Sequence, residues 1–172
     1  MLHVNLSKVH DRPVDTTGEV AQNDPAFAGL NVPLAGPLLV TGRFSSAGED
    51  KYYWRVRFET TVRTECRRCL AEVVVPIDVS RGLIFSADEE TPEGDGCYVI
   101  PEHGRDLDLT EALREEVMLA VPAFVECRPD CPGLCPRCGA DLNDGPCGCS
   151  PAGDPRWDAL KGLAEASNPK KD

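Results

Sequence analysis

No apolar run in this chain approaches the ~20 residues that a membrane-spanning helix needs, and no basic-then-apolar leader opens it. A cytoplasmic location without a membrane partner is the expectation. An excess of positive charge is also missing: 18 Lys and Arg stand against 29 Asp and Glu, a formal net charge of −11. This excludes generic binding to nucleic acid through a basic surface. Histidine is scarce, and His3, His10 and His103 are scattered; they read as ordinary polar residues. A zinc enzyme needs an open metal position or a nucleophile–histidine pair beside it. The sequence offers neither, so no catalytic residue and no small-molecule substrate are expected. No internal repeat stands out.

Apolar side chains are scarce again from Cys127 to Cys149, where only Leu134 and Leu142 interrupt Pro, Gly and Asx residues, and six of the nine cysteines fall there. Ordering each residue's backbone costs roughly 1–2 kcal/mol, which two leucines do not offset over such a stretch. Tetrahedral zinc held by thiolates can; structural zinc in small fingers supplies about 10–16 kcal/mol that appears as folding free energy. Cys135-Pro-Arg-Cys138-Gly139 has the form of a zinc knuckle. Cys147-Gly-Cys149 is a tighter second pair. Disulfides are the other reading of many cysteines, but a reducing compartment and knuckle spacing favour metal.

A length of 172 residues and an apolar fraction of 41% suit one modest core with an appendage, or two small domains. Leu2, Val4 and Leu6 alternate with polar residues, as in a short strand. Residues 11–37 are punctuated by Pro and Gly and read as an irregular arm. A strand is expected from about Leu38 to Ala47. Strict period two then runs from Tyr52 to Cys66, giving one long strand. A return strand follows Cys69, with Pro76 suited to an edge or a bulge. Cys66-Arg67-Arg68-Cys69 therefore lies at a hairpin tip. A redox pair would instead lie at a helix N-terminus, so this pair reads as half of a metal site. After an acidic loop (87–97) and a last short strand at Tyr98–Ile100, Asp108 and Glu111 form a capping box. The helix runs to Val121 and stops at Pro122, with Ala112, Leu113, Val117, Ala120 and Val121 as its buried stripe. Asp154-Pro155 caps a short helix carrying Trp157, Leu160 and Ala164, and 167–172 is a disordered polar tail. The expected division is 1–37 strand and arm, 38–122 antiparallel sheet with helix, and 123–166 cysteine-rich tail. The fold class is α+β: an antiparallel sheet or small open barrel, one main helix, and a zinc-ribbon-like tail.

Eight cysteines form sequence pairs 66/69, 127/131, 135/138 and 147/149, enough for two tetrahedral sets. We expect 66/69 to join 127/131, and 135/138 to join 147/149, around two structural zinc ions. The alternative is one site within 127–149, with Cys66 and Cys69 as free thiols. Cys97 reads as a plain thiol. Charge is segregated. Residues 43–81 hold eight Lys or Arg and six acids, a net +2, whereas 86–130 hold three Arg and thirteen acids, a net −10. Arg55, Arg57, Arg63, Arg67 and Arg68 are candidate contacts to RNA or a partner, since guanidinium groups grip phosphate and stack on bases. The other reading is that they balance Glu59, Glu65 and Glu72 across the strands. The acidic segment better suits a basic protein.

The combination of Cys66-Arg-Arg-Cys-Leu70, an acidic helix ending in Leu119-Ala-Val-Pro122, Cys127-x3-Cys131, Gly133-Leu-Cys-Pro-x-Cys-Gly139, Leu142-Asn143, Cys147-Gly-Cys149 and Asp154-Pro-Arg156 resembles the YceD family. These are the large ribosomal RNA subunit accumulation proteins, and the likeness runs from about Leu38 to Leu163. It implies a non-enzymatic role in accumulation of bacterial 23S ribosomal RNA and in large-subunit assembly. The partner would be that RNA or a ribosomal protein of the large-subunit precursor. An adaptor that binds only proteins, for example in transcription, is the competing expectation.

Overall fold

A computed structural model describes residues 2–30, 33–48, 50–87, 96–101, 105–149 and 156. The chain opens with β1 (His3–Asn5), α1 (Leu6–Asp11) and β2 (Val14–Val20), then a 3-10 turn at Pro25–Phe27. The long strands β3 (Leu38–Gly48), β4 (Lys51–Glu65) and β5 (Glu72–Ser86) follow, and β6 (Cys97–Val99), β7 (Asp106–Asp108) and α2 (Thr110–Ala120) come after them. The strands form a five-stranded sheet in the order β2-β3-β4-β5-β6 and a two-stranded β1-β7 pair.

Period two is what makes β4 the spine of the sheet. Tyr52, Trp54, Val56, Phe58, Thr60 and Val62 are buried on one face, and Arg55, Arg57, Glu59 and Arg63 are exposed on the other. The whole of β4 pairs with β5, from Lys51 opposite Ser86 to Glu65 opposite Glu72, which leaves the connecting turn at Cys66–Ala71. Pro76 stands opposite Thr61, and β6 joins β5 only from Ile84 onward. The proline therefore occupies the free-edge part of β5, where a missing donor is tolerated.

Helix α2 covers the buried face with Ala112, Leu113 and Val117, and these join Leu38, Val40, Phe44, Trp54, Phe58 and Leu83 in one apolar cluster. Ala120 and Val121 pack at its margin. Glu116 shares the helix's buried stripe at 3% exposure. Arg81 Nε donates to it at 3.1 Å, and the Tyr98 hydroxyl lies 3.5 Å from its other oxygen. A buried carboxylate survives when paired and hydrogen-bonded in this way.

Several expectations are corrected. The irregular arm contains β2, which pairs with β3 from Val14 opposite Phe44 to Val20 opposite Leu38. Its reason is Thr16: the hydroxyl accepts from Trp54 Nε1 at 2.9 Å in the buried interior, so the arm completes the core. The sheet is mixed rather than purely antiparallel, because β6 runs parallel to β5, and among the described residues it forms no closed barrel. β6 is not the last strand, since β7 follows and pairs antiparallel with β1. Leu109, not Asp108, occupies the helix N-cap position, and Asp108 accepts from the Thr110 N–H at 2.9 Å. The short helix at Trp157, Leu160 and Ala164, its Asp154-Pro155 cap, the tail at 167–172, His103 and most of the acidic loop lie outside the described residues. None of the described helices is long and apolar enough to cross a membrane.

Candidate metal centres

The hairpin tip is a tight turn in which Cys66 N–H donates to Ala71 O at 2.8 Å and Leu70 N–H to Cys66 O at 2.9 Å. Farther on, Cys135 N–H donates to Ala140 O at 2.8 Å and Gly139 N–H to Cys135 O at 2.9 Å. The two turns are the same knuckle, built on the repeated pattern Cys-x-Arg-Cys-x-Ala at 66–71 and 135–140. This corrects the expectation of no internal repeat; a six-residue unit separated by 63 residues of unrelated chain is easily passed over.

After α2 ends before Pro122, the chain returns to the hairpin tip. Arg67 N–H donates to Val125 O at 2.8 Å and Leu134 N–H to Arg68 O at 3.0 Å. Gly133 makes that approach possible. Its backbone is left-handed, φ +77°, and a Cβ there would stand 2.8 Å from Arg68 O. The tail thus brings Cys127 and Cys131 against Cys66 and Cys69.

Two four-sulfur clusters result, Cys66/Cys69/Cys127/Cys131 and Cys135/Cys138/Cys147/Cys149, with all sulfurs of each within 4.8 Å of one another. Cys66 Sγ lies 3.9 Å from Cys131 Sγ, and Cys69 Sγ 3.7 Å from Cys127 Sγ. A tetrahedral ion with Zn–S near 2.3 Å sets sulfur separations of about 3.8 Å, so the donor set fits such an ion. No disulfide joins the cysteines among the described residues. Cys66 and Cys69 are therefore gathered with the tail cysteines, and the grouping is 66/69 with 127/131 and 135/138 with 147/149. Cys97 belongs to neither cluster.

The electrostatics of each cluster favour one thiolate and resist more. Burial pushes the Cys66 thiol up, but the N–H groups of Cys69, Cys127 and Arg68 outweigh it and bring the pKa down to about 6. The N–H groups of Cys138 and Arg137 do the same for Cys135, also to about 6. The Cys127 thiol donates to the Cys131 sulfur, and that bond, with burial, pushes its pKa up to about 12. Cys149 rises to about 12 beside Cys138 and Cys147. A bound divalent cation inverts that resistance, because its charge stabilises every thiolate facing it.

The candidate arginines fare differently. Arg57 makes a bidentate pair with Asp78, 2.8 Å for each bond, and a 2.9 Å contact to Glu59. These carboxylates raise its pKa, and Arg57 in turn lowers that of Asp78. Arg63 meets Glu72 at 3.3 Å. Arg67 pairs with Glu126 at 2.7 Å and lies over the Phe124 ring at 5.3 Å. Arg68 approaches Glu126 at 3.5 Å and donates to Cys131 O. Arg55 has no such partner among the described residues, and it stands opposite Arg43 on β3. Metal would hold the tip, but Arg67 and Arg68 do not simply project outward; both fold back onto the tail.

Three residues at these centres have features that sequence reasoning did not assign, although Leu70 and Asn143 belong to the motifs of the family resemblance. Leu70 is 58% exposed with φ +62°. Phe124, 75% exposed, is the most open large apolar side chain among the described residues. Asn143 donates to Cys131 Sγ at 3.5 Å. The alignment of Leu70 with Gly139 in the six-residue repeat was the available signal for the first. Asn143 was marked only by the Leu142-Asn143 motif, and nothing local marked Phe124.

The fold and its clusters define a mixed-sheet α+β protein whose cysteine-rich tail is clasped to a hairpin tip. The family described as Large ribosomal RNA subunit accumulation protein YceD matches residues 54–164 of the 172, and the chain belongs to it. An uncharacterized protein of Mycobacterium tuberculosis is 38% identical over 101 residues, 56% of this chain and 47% of its own. An uncharacterized protein of Mycobacterium leprae is 30% identical over 127 residues, 69% of this chain and 57% of its own. The chloroplastic large ribosomal RNA subunit accumulation protein YCED homolog 1 of Zea mays is 33% identical over 174 aligned positions, 81% of this chain and 59% of its own. The chain thus spans about half the length of the curated relatives it matches. No solved structure matches it.

Proposed function

We propose that this protein is a non-enzymatic, cytoplasmic factor that supports 23S ribosomal RNA accumulation and large-subunit assembly, with a structural zinc ion in each cysteine cluster. The observation that carries this reading is the family match over residues 54–164. The name of the maize relative supports the same role. Zinc is supported by the all-sulfur donor sets and their spacing. A non-catalytic role is supported by their closure, since four thiolates fill a tetrahedral ion and leave no position for substrate.

The contact surface we assign is the clasped tip. Metal and tail fix its backbone, Arg67 remains half-exposed on the Phe124 ring, and Leu70 projects into solvent. An aromatic face beside a guanidinium suits an unstacked RNA base. Arg55, paired with no carboxylate among the described residues, is a second contact on the open sheet face. One observation favours the alternative, an adaptor that binds only proteins: Arg57, Arg63, Arg67 and Arg68 already meet carboxylates of this chain. Sedimentation of cell extracts separates the two. The assembly factor travels with large-subunit precursors and leaves them when their RNA is digested. An adaptor stays in the light fractions throughout.

A further inference from the structure

The side-chain amide of Asn143 reaches from one cysteine cluster to the other. Asn143 lies between the Cys138 and Cys147 arms of the second cluster, yet its Nδ2 donates to Cys131 Sγ of the first at 3.5 Å. The same Nδ2 donates to Asp141 Oδ1 at 2.7 Å, and the Asn143 backbone N–H to that oxygen at 2.8 Å. Asn143 Oδ1 is buried without a hydrogen-bond partner among the described residues. This orientation is informative. Turning the amide over would satisfy neither acceptor and would press Oδ1 against a carboxylate and a sulfur. The amide therefore leaves its carbonyl unpaired and keeps its N–H groups on Asp141 Oδ1 and Cys131 Sγ. A donor is useful there when Cys131 is a metal-bound thiolate, which is an acceptor with no proton of its own.

The backbone carries the same link. Leu134 N–H bonds Arg68 O at 3.0 Å on the hairpin side, and Leu142 N–H bonds Gly133 O at 2.9 Å on the ribbon side. Residues 131–135 are thus sandwiched between the tip and the arm that bears Asn143. That arm, Gly139 to Pro146, has Leu142 as its one large apolar residue, so its order depends on the second cluster's ion.

We propose that Asn143 couples the two metal centres, so that filling the ribbon cluster tightens metal binding at the hairpin cluster. This rests on the reading that both clusters hold metal. An ion in the second cluster orders the arm, the arm sets Asn143 on Cys131, and the N–H···S bond stabilises the thiolate that binds the first ion. By linkage, filling the hairpin cluster tightens the ribbon cluster by the same factor. Loss of an outer hydrogen bond to a metal ligand typically lowers affinity about 10–100-fold.

The test titrates the full chain with Co2+ alone under chelator competition. The wild-type protein should take up two ions together. Asn143→Leu should split the uptake, with the ribbon cluster filling first and the hairpin cluster about 10–100-fold more weakly. Cys147→Ser with Cys149→Ser should weaken the remaining hairpin cluster to the same degree, and adding Asn143→Leu to that pair should change nothing more. Asn143→Asp, which keeps the shape and replaces the donor by an acceptor, should also weaken the hairpin cluster and serves if the leucine variant misfolds. Wild-type affinity at both clusters in a folded Asn143 variant overturns the coupling, as does a loss fully additive with that of the cysteine pair. Uptake of fewer than two ions by the wild-type chain overturns the two-metal reading itself, whereas two ions bound independently overturn only the coupling.

Discussion

Leu70 holds a left-handed backbone, φ +62°, at the position of the first knuckle that Gly139, φ +74°, holds in the second. Both residues follow the second cysteine of the knuckle, and both donate their N–H to the carbonyl of the first. A leucine in this conformation costs roughly 1–2 kcal/mol that a glycine does not. Backbone strain of this kind clusters at functional sites, which supports the tip contact proposed above.

Leu70→Gly should therefore stabilise the zinc-loaded protein by about 1 kcal/mol, after part of the relieved strain is offset by glycine's greater freedom when unfolded. Thermal melting of the loaded protein reads this directly. The same variant should bind large-subunit precursors more weakly. A drop in melting temperature would show that the Leu70 side chain holds the fold.

Gly133→Ala should strike the clasp between tail and tip. Its methyl would meet Arg68 O at 2.8 Å, on a backbone already at φ +77°. The expected cost is about 1–3 kcal/mol, seen as weaker metal binding at Cys66/Cys69/Cys127/Cys131. The larger part of the effect should fall on that cluster, and the Cys135 knuckle should keep its ion.

Metal removal should separate tail from sheet. Residues 122–149 have few apolar anchors, whereas the sheet buries its own continuous cluster. On chelation, amide exchange should accelerate at Arg67 and Leu134, whose N–H groups bond across the clasp, and at Cys135 and Leu142, whose N–H groups bond within the tail, while β3 and β4 stay protected. Uniform loss of protection along the whole chain would make the metal part of the sheet's core.

Trp54→Phe should destabilise the sheet without touching the metal. The indole donates to Thr16 at 2.9 Å, both residues are buried, and the variant leaves the hydroxyl without its donor. A loss of about 1–3 kcal/mol is expected, measured by denaturant unfolding, with two ions retained.

This last pair also shows what the sequence could and could not tell. Strict alternation made β4 and the start of β5 legible, and sulfur pairs at knuckle spacing made both clusters legible. Thr16 was not legible as core. Its partner Trp54 lies 38 residues away, and Pro13, Gly18 and Pro25 around β2 carry the punctuation of a loop. Alternation of Leu2, Val4 and Leu6 marked β1, but its partner β7 lies more than a hundred residues on and is three residues long, too short for any period. The arginines were legible as a group, but whether each meets a carboxylate depends on register. Arg57 finds Asp78 only because Glu59 and Asp78 stand opposite each other one step along. Glu116 counts in the sequence only among the acids of the 86–130 segment; it lies on the buried stripe with Leu113 and Val117, where Arg81 receives it.

The ratio of 23S to 16S ribosomal RNA in living cells bears most directly on the role proposed here. Cells without this protein should show a lowered ratio. The wild-type chain should restore it, and a chain carrying Leu70→Gly with Phe124→Ala should not, although it keeps both ions and its fold. An unchanged ratio in cells lacking the protein would contradict the role. A ratio fully restored by the double variant would leave the role standing and remove the tip as its contact surface.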